Sequence, residues 1–249
     1  MPRSANSLLV AKVSAAVAVL TVGAAVGATS LAVVWVVGVI GLAAFLVAWR
    51  HLHLPSAIVL FGTVVGSMGA IPTGSSWHLG VVVGAVAALG LAPVATRDAM
   101  RKLFRRPRIT PLLLVVAAIC TSVASLFVWW DISQRGGLYF LPTTSVTVLL
   151  SAALGNALAE ELVWRAAAVS LLLSQGWSLR TVVLLTSLSF GLSHVAEGVP
   201  SGLAAIPAAG AYGVVMCVLF ITTRSLWLPL ASHVCVDVTI VAGLAGWVP

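Results

Sequence analysis

Residues 142–175 read PTTSVTVLLSAALGNALAEELVWRAAAVSLLLSQ. The stretch is apolar enough to lie in a lipid bilayer, yet it contains Glu160, Glu161 and Arg165. A charged side chain near the middle of a bilayer costs about 2.5 to 3.5 kcal/mol even on permissive insertion scales. We therefore treat these three residues as candidates for a functional site.

The rest of the chain is similarly apolar. Of its 249 residues, 61% are hydrophobic and only 8% are charged, whereas about 25% of the residues of a soluble domain are charged. The composition predicts a polytopic membrane protein. The sequence pI is about 10.4, but the basic residues lie in short connectors between apolar runs, so we predict no nucleic-acid partner.

A transmembrane helix needs about 20 mostly apolar residues. We predict an all-α fold, a polytopic transmembrane helical bundle with eight or nine spans. The candidate spans are residues 9–27, 30–49, 56–72, 79–96, 111–130, 142–175, 180–196, 201–223 and 226–246. The sixth is too long for one straight span, so it is either two pieces or one tilted helix. The first resembles a signal peptide, but the spans that follow it at once favour a retained helix.

The distribution of Lys and Arg predicts the orientation. With the N-terminus inside, eleven of the 13 basic residues lie on or near the cytoplasmic side, Arg135 lies outside and Arg165 lies within the membrane. This predicts a multi-pass protein of the cell membrane with a cytoplasmic N-terminus. The basic connector 97–108 predicts an interfacial anchor that can also bind anionic lipid. It divides a four-helix membrane region, residues 1–108, from a second membrane core, residues 109–249.

Cysteine and glycine positions predict packing. Cys120, Cys217 and Cys235 lie within apolar runs without CxxC spacing, which indicates neither a disulfide framework nor a thiolate metal site. We expect them to be small core residues. GxxxG steps beginning at Gly23 and at residues 62 and 80 predict close approach of helices. Packing within one chain is the preferred interpretation, and the oligomeric state is left open.

The spacing of the polar residues suggests their roles. Glu161 and Arg165 are four residues apart, so they can form an ion pair on one helix face. Glu160 is turned by about 100° from Glu161 and can face a cavity. Two further pairs share this spacing, Phe190 with His194 and His233 with Asp237.

These three segments, EELVWR, FGLSH and HVCVD, resemble the EExxxR, FxxxH and HxxxN/D motifs of the CAAX protease and bacteriocin-processing family of intramembrane glutamic endopeptidases. The resemblance covers residues 160–237 and, more loosely, 111–249. It implies that Glu160, assisted by His194, activates water for attack on a peptide bond. It also implies that His233 and Asp237 stabilise the oxyanion.

One position differs from the prenyl-protein branch of that family, which has Asn where this chain has Asp237. A carboxyl group donates a hydrogen bond only when it is protonated. Otherwise Asp237 would orient His233. The specific role of Asp237 therefore stays open. The interpretation of these residues as one catalytic site does not depend on that role.

The resemblance implies no cofactor and a peptide or a membrane-anchored protein as substrate, cut near the cytoplasmic face. Zinc is the alternative, with Glu160, His194, His233 and Asp237 as ligands, although the HExxH signature of many metalloproteases is absent. The Ala-, Val- and Gly-rich composition favours a bacterial protein. Two other functions are a non-catalytic bacteriocin-immunity or binding protein on the same scaffold and a proton-coupled transporter. The transporter is less favoured because the chain has no convincing internal repeat.

Overall fold

The computed structural model describes residues 5–26, 104–134, 145–195, 199–200 and 202–246. In chain order, the helical segments are α1 (Ala5–Val26), α2 (Pro111–Gln134), α3 (Val146–Glu161), a π-helical segment (Leu162–Val169), α4 (Ser170–Ser174), α5 (Leu179–Ser193), α6 (Ala205–Thr223) and α7 (Trp227–Leu244). No β-strand occurs in these ranges, so the all-α prediction is confirmed. The three candidate spans between residues 30 and 96 lie outside them.

Two of the described helices, α2 and α6, are long and apolar enough to cross a membrane by length and composition. Shorter apolar helices occur at Leu8–Ala24, Leu179–Ser193 and Trp227–Gly243. Apolar side chains such as Leu112, Leu126 and Trp130 are exposed along α2, as expected for a surface that faces lipid. The total of eight or nine spans stays a prediction.

The sixth candidate span forms one helical run from Val146 to Ser174. Its middle part is π-helical, with backbone hydrogen bonds that reach five residues along the chain rather than four. The π-helical segment begins directly after Glu161 and contains Arg165. The sequence allowed either two pieces or one helix, and the structure has one continuous helix. Its helical turns widen locally where the charged residues lie.

Helices α5 and α6 approach each other closely because small residues line their contact. A Cβ atom at Gly191 would overlap the backbone oxygen of Ile206, and one at Gly210 would lie 3.3 Å from the backbone oxygen of Ser187. Such small residues let two helix backbones pack tightly within a membrane. This contact fixes α5, the helix that ends directly before His194.

The N-terminal helix packs against the motif-bearing region. A Cβ atom at Gly23 of α1 would overlap Ser189 of α5, and Ser189 Oγ donates a hydrogen bond to the backbone oxygen of Val19. Gly23 therefore makes the intrachain contact expected of its GxxxG step. Val19 is also buried in one apolar cluster with Trp164 and Phe190. Thus α1 contributes to the core of the second region, and the predicted boundary at residue 108 stays a prediction.

The last helix, α7, packs between α2 and α3. Val236 is buried with Val128 of α2, and Val241 is buried with Leu149 of α3. His233 and Asp237 are buried on the inner face of α7. Cys235 falls between these inward positions and is exposed, whereas Cys217 is buried and Cys120 is half-buried. The expectation of core positions is confirmed for Cys217 and wrong for Cys235.

Part of the basic connector binds the turn between α6 and α7. Ser225 Oγ donates a hydrogen bond to the backbone oxygen of Arg105 at 2.7 Å. Trp227 Nε1 donates to the backbone oxygen of Phe104 at 2.8 Å. In the other direction, Arg105 Nε donates to the backbone oxygen of Arg224 at 3.1 Å. The connector and the α6–α7 turn therefore lie at the same end of the bundle.

Other basic residues lie at this end as well. Helices α5 and α6 are antiparallel, since Gly191 meets Ile206 near one end and Thr186 meets Cys217 further along. Arg180 at the start of α5 is therefore near the end of α6. Next to the start of α5, Trp177 Nε1 donates to the backbone oxygen of Lys12 at 3.2 Å.

Candidate active site

Three helices bring the motif residues together. Glu160 and Glu161 end α3 at its junction with the π-helical segment, His194 follows the last residue of α5, and His233 and Asp237 lie on α7. Of these side chains, Glu161, His233 and Asp237 are buried, while Glu160 and His194 are partly exposed. The site is therefore enclosed on most sides and accessible beside Glu160 and His194.

Arg165 is held inside the bundle by a carboxylate and an aromatic ring. Its Nη1 lies 3.2 Å from Glu161 Oε1, and both side chains are almost fully buried. Its guanidinium carbon lies 4.6 Å from the centre of the Phe190 ring, a cation–π distance. The structure thus places the residues of the predicted ion pair next to each other.

Glu161 also contacts His233. Its Oε1 lies 2.8 Å from His233 Nδ1. A carboxylate oxygen accepts hydrogen bonds, so Nδ1 carries the hydrogen and donates it. Glu161 therefore orients the imidazole ring in addition to pairing with Arg165, a contact that spacing along a single helix does not predict.

The second nitrogen of His233 faces two carboxylates. Its Nε2 lies 3.5 Å from Glu160 Oε2 and 3.6 Å from Asp237 Oδ1. These separations are longer than an ordinary hydrogen bond. Glu160 remains 15% exposed in its side chain, and within the described residues its Oε2 accepts no hydrogen bond. This oxygen is itself buried, so the exposed part of Glu160 lies elsewhere on the side chain, and Oε2 is an unpaired acceptor that faces His233.

Asn156 is a site residue that the sequence analysis missed. It lies one turn before Glu160, and its Nδ2 donates to Glu160 Oε1 at 3.2 Å and to Asp237 Oδ2 at 3.0 Å. The signal in the sequence was available, because an amide four residues before Glu160 in an apolar run is itself unusual.

Tyr212 of α6 is a second missed residue. Its ring lies edge to face with that of His233, with 5.8 Å between ring centres. Its hydroxyl is buried and makes no hydrogen bond within the described part of the chain. Nothing in its local sequence marked it, since its position depends on the packing of α6 beside α7.

His194 lies at the edge of this group. Its Nδ1 is 2.9 Å from the backbone oxygen of Phe190, which can only accept, so Nδ1 donates and the neutral ring has its lone pair on Nε2. The Phe190 ring centre lies 4.6 Å from that of His194 and 6.0 Å from that of His233. Among the described residues, no hydrogen bond joins His194 directly to Glu160 or His233.

The alternative zinc ligands were Glu160, His194, His233 and Asp237. In the described ranges, no three His, Cys, Asp or Glu side chains are grouped so that they could hold one metal ion. The Nδ1 atoms of both histidines are engaged with oxygen acceptors. Hydrolysis without a metal stays a prediction that requires a direct measurement.

Part of the chain matches a known protein family. Residues 141–239 match the model of the family described as type II CAAX prenyl endopeptidase Rce1-like. The match includes all three motif segments. No curated protein and no solved structure matches the chain.

Proposed function

We propose, from the match of residues 141–239 to the type II CAAX prenyl endopeptidase Rce1-like family, that the protein is an intramembrane endopeptidase. It would hydrolyse a peptide bond in a peptide or in a membrane-anchored protein. The observation that carries this proposal is the position of Glu160, whose Oε2 lies 3.5 Å from His233 Nε2 while the side chain stays partly exposed.

Glu160 is the proposed general base. A partly desolvated carboxylate beside an imidazole can take a proton from water, and a positioned base contributes about 10²- to 10⁴-fold to such a reaction. The resulting hydroxide attacks the carbonyl carbon of the scissile bond. The proton held by Glu160 then passes to the amine that leaves, so that the carboxylate is restored at the end of the cycle.

His233 is the proposed oxyanion donor. Because its Nδ1–H is directed at Glu161, only the imidazolium form has a second hydrogen, on Nε2, for the negatively charged oxygen of the intermediate. The carboxylate groups of Glu160, Glu161 and Asp237 surround the ring and balance that positive charge. Buried donors held in place before the reaction stabilise an oxyanion strongly.

Asp237 orients His233 in this scheme, which favours one of the two roles left open by the sequence. His194 acts from the accessible side, with Nε2 available to exchange a proton with water or with the leaving amine. The Phe190 ring between the two histidines keeps them apart, so that each can act on a different part of the substrate.

The same charge pattern supports a location and a partner surface. We infer a multi-pass protein of a bacterial cell membrane with its N-terminus in the cytoplasm. Arg105, Arg106, Arg108 and Arg224 are exposed at the basic end of the bundle, where anionic headgroups would bind. His194 follows the end of α5 opposite to Arg180, about 20 Å along the helix, so cleavage near the basic face stays a prediction. Maturation of a peptide is the favoured process.

The test compares wild-type protein with Glu160→Gln in detergent. Two probes are used, an internally quenched prenylated CAAX peptide and a mixture of unmodified peptides from membrane segments, with cleavage sites read by mass spectrometry. We expect cleavage by the wild type and a loss of about 10²- to 10⁴-fold in the variant, at an unchanged melting temperature. Equal cleavage by both proteins, or none by the wild type on either probe, would contradict the proposal.

A further inference from the structure

Asn156 connects two of the proposed site residues that lie on different helices. Its Nδ2 lies 3.2 Å from Glu160 Oε1 on its own helix and 3.0 Å from Asp237 Oδ2 on α7. Both partners are carboxylates, which accept, so the nitrogen end of the amide must face them. The two hydrogens on Nδ2 allow one donated bond to each carboxylate.

The side chains of Asn156, Glu160, Asp237 and His233 form a closed ring. Asn156 holds one oxygen of each carboxylate, and the other oxygens, Glu160 Oε2 and Asp237 Oδ1, face His233 Nε2 at 3.5 and 3.6 Å. Asn156 therefore fixes the rotation of each carboxylate group, so that its other oxygen stays directed at the imidazole. Without this amide, either carboxylate could rotate about its last side-chain bond.

The chemical nature of the amide suits this position. Two carboxylates in one enclosed site repel each other, and a neutral donor that binds both offsets the repulsion without adding charge. A carboxylate at position 156 would add a third negative group, and an apolar side chain would leave both carboxylates without this donor.

We propose that Asn156 is a positioning residue that holds Glu160 and Asp237 on either side of His233 Nε2. This inference rests on the proposed function. In this role Asn156 does not touch the substrate. Removing it should reduce kcat much more than it changes KM, since the substrate is still bound but the base and its partner are no longer aligned.

The activity test uses Asn156→Leu, Asn156→Asp, Asp237→Asn and the double variant Asn156→Asp/Asp237→Asn. Thr147→Ala is the matched control, because Thr147 is an exposed polar residue on the same helix. We expect Asn156→Leu to lower kcat by about 10- to 100-fold, as for residues that orient the ligands of catalytic metals, with KM changed less than about threefold.

Asn156→Asp should lose more activity than Asn156→Leu. The double variant should recover part of that loss, because it returns the ring to two carboxylates and one amide. A kcat of Asn156→Leu within twofold of wild type would overturn the inference. So would a folded double variant that is no more active than Asn156→Asp alone.

A second measurement separates this inference from the proposed function. The melting temperatures of Asn156→Leu, Asp237→Leu and the combined variant form a double-mutant cycle. We expect the combined loss to be smaller than the sum of the single losses, because each single change removes the same hydrogen bond. If the losses in melting temperature are additive and the protein is active, only the proposed role of Asn156 is contradicted. If the losses are clearly coupled but the protein cleaves neither probe, only the endopeptidase function is contradicted.

Discussion

Glu161 serves two partners from one oxygen, Arg165 Nη1 at 3.2 Å and His233 Nδ1 at 2.8 Å. Changing Glu161 to Gln leaves Arg165 buried without its counter-ion. Changing Arg165 to Ala leaves the buried Glu161 carboxylate with His233 but without the guanidinium. Breaking a buried ion pair from one side costs about 3 to 5 kcal/mol. We therefore expect both variants to lose thermal stability and yield in detergent as well as activity.

Two controls make this result specific. Glu160→Gln should keep the wild-type melting temperature, because Glu160 has no ion pair with Arg165. Arg180→Ala, at an exposed position at the start of α5, should keep both stability and activity. If Glu161→Gln retains the wild-type melting temperature and loses only activity, then Glu161 has no structural role and the assignment of the pair is incorrect.

The contact between α5 and α6 depends on two glycines with different amounts of free space. A methyl group at Gly191 would overlap a backbone oxygen, whereas at Gly210 it would lie 3.3 Å from one. Overpacking a tight contact costs about 1 to 3 kcal/mol. Gly191→Ala should therefore lower the melting temperature clearly, and Gly210→Ala should lower it little.

The activity of these two variants should follow the same order, since α5 ends directly before His194. Thermal unfolding followed by circular dichroism and cleavage of the probe peptides measure both effects. Equal melting temperatures for Gly191→Ala and Gly210→Ala would show that the two helices can separate without cost. In that case, α5 does not hold His194 by close packing.

The basic end of the bundle should face the cytoplasm. Because Cys235 is exposed, the experiment starts from a variant with all three native cysteines changed to Ala. Ser178→Cys and Ala99→Cys, the latter outside the described residues, should react with an impermeant thiol reagent only in opened cells. Ser133→Cys should react in intact cells. Labelling of position 178 from outside would show that the predicted orientation is wrong.

The intact protein also allows a test for metal. If Glu160 and His194 activate water without an ion, exhaustive chelation should leave the cleavage rate unchanged. Elemental analysis should then find much less than one zinc per chain. One firmly bound zinc per chain, with activity restored only when zinc is added back, would establish a metallopeptidase instead.

The spacing of residues along the chain was sufficient to predict the helical fold and one of the contacts in the site. Long apolar runs favour helices because backbone groups must pair internally in lipid, and the all-α fold follows from them. A separation of four residues places Glu161 beside Arg165 because both lie on one helix. The motif order also indicated the family, which the match over residues 141–239 supports. The catalytic roles and the number of spans stay predictions.

Contacts between helices could not be obtained in this way, because the sequence does not give the rotation and depth of one helix against another. Only the packing of α7 beside α3 shows that Glu161 reaches His233 and that Asn156 joins Glu160 to Asp237. Packing of α6 brings Tyr212 to the same imidazole. The widening after Glu161 is likewise a property of the folded helix, since a periodicity of 3.6 residues assumes a regular α-helix throughout. Sequence spacing identifies the charged groups within each helix, and tertiary packing selects their partners because those partners lie on other helices.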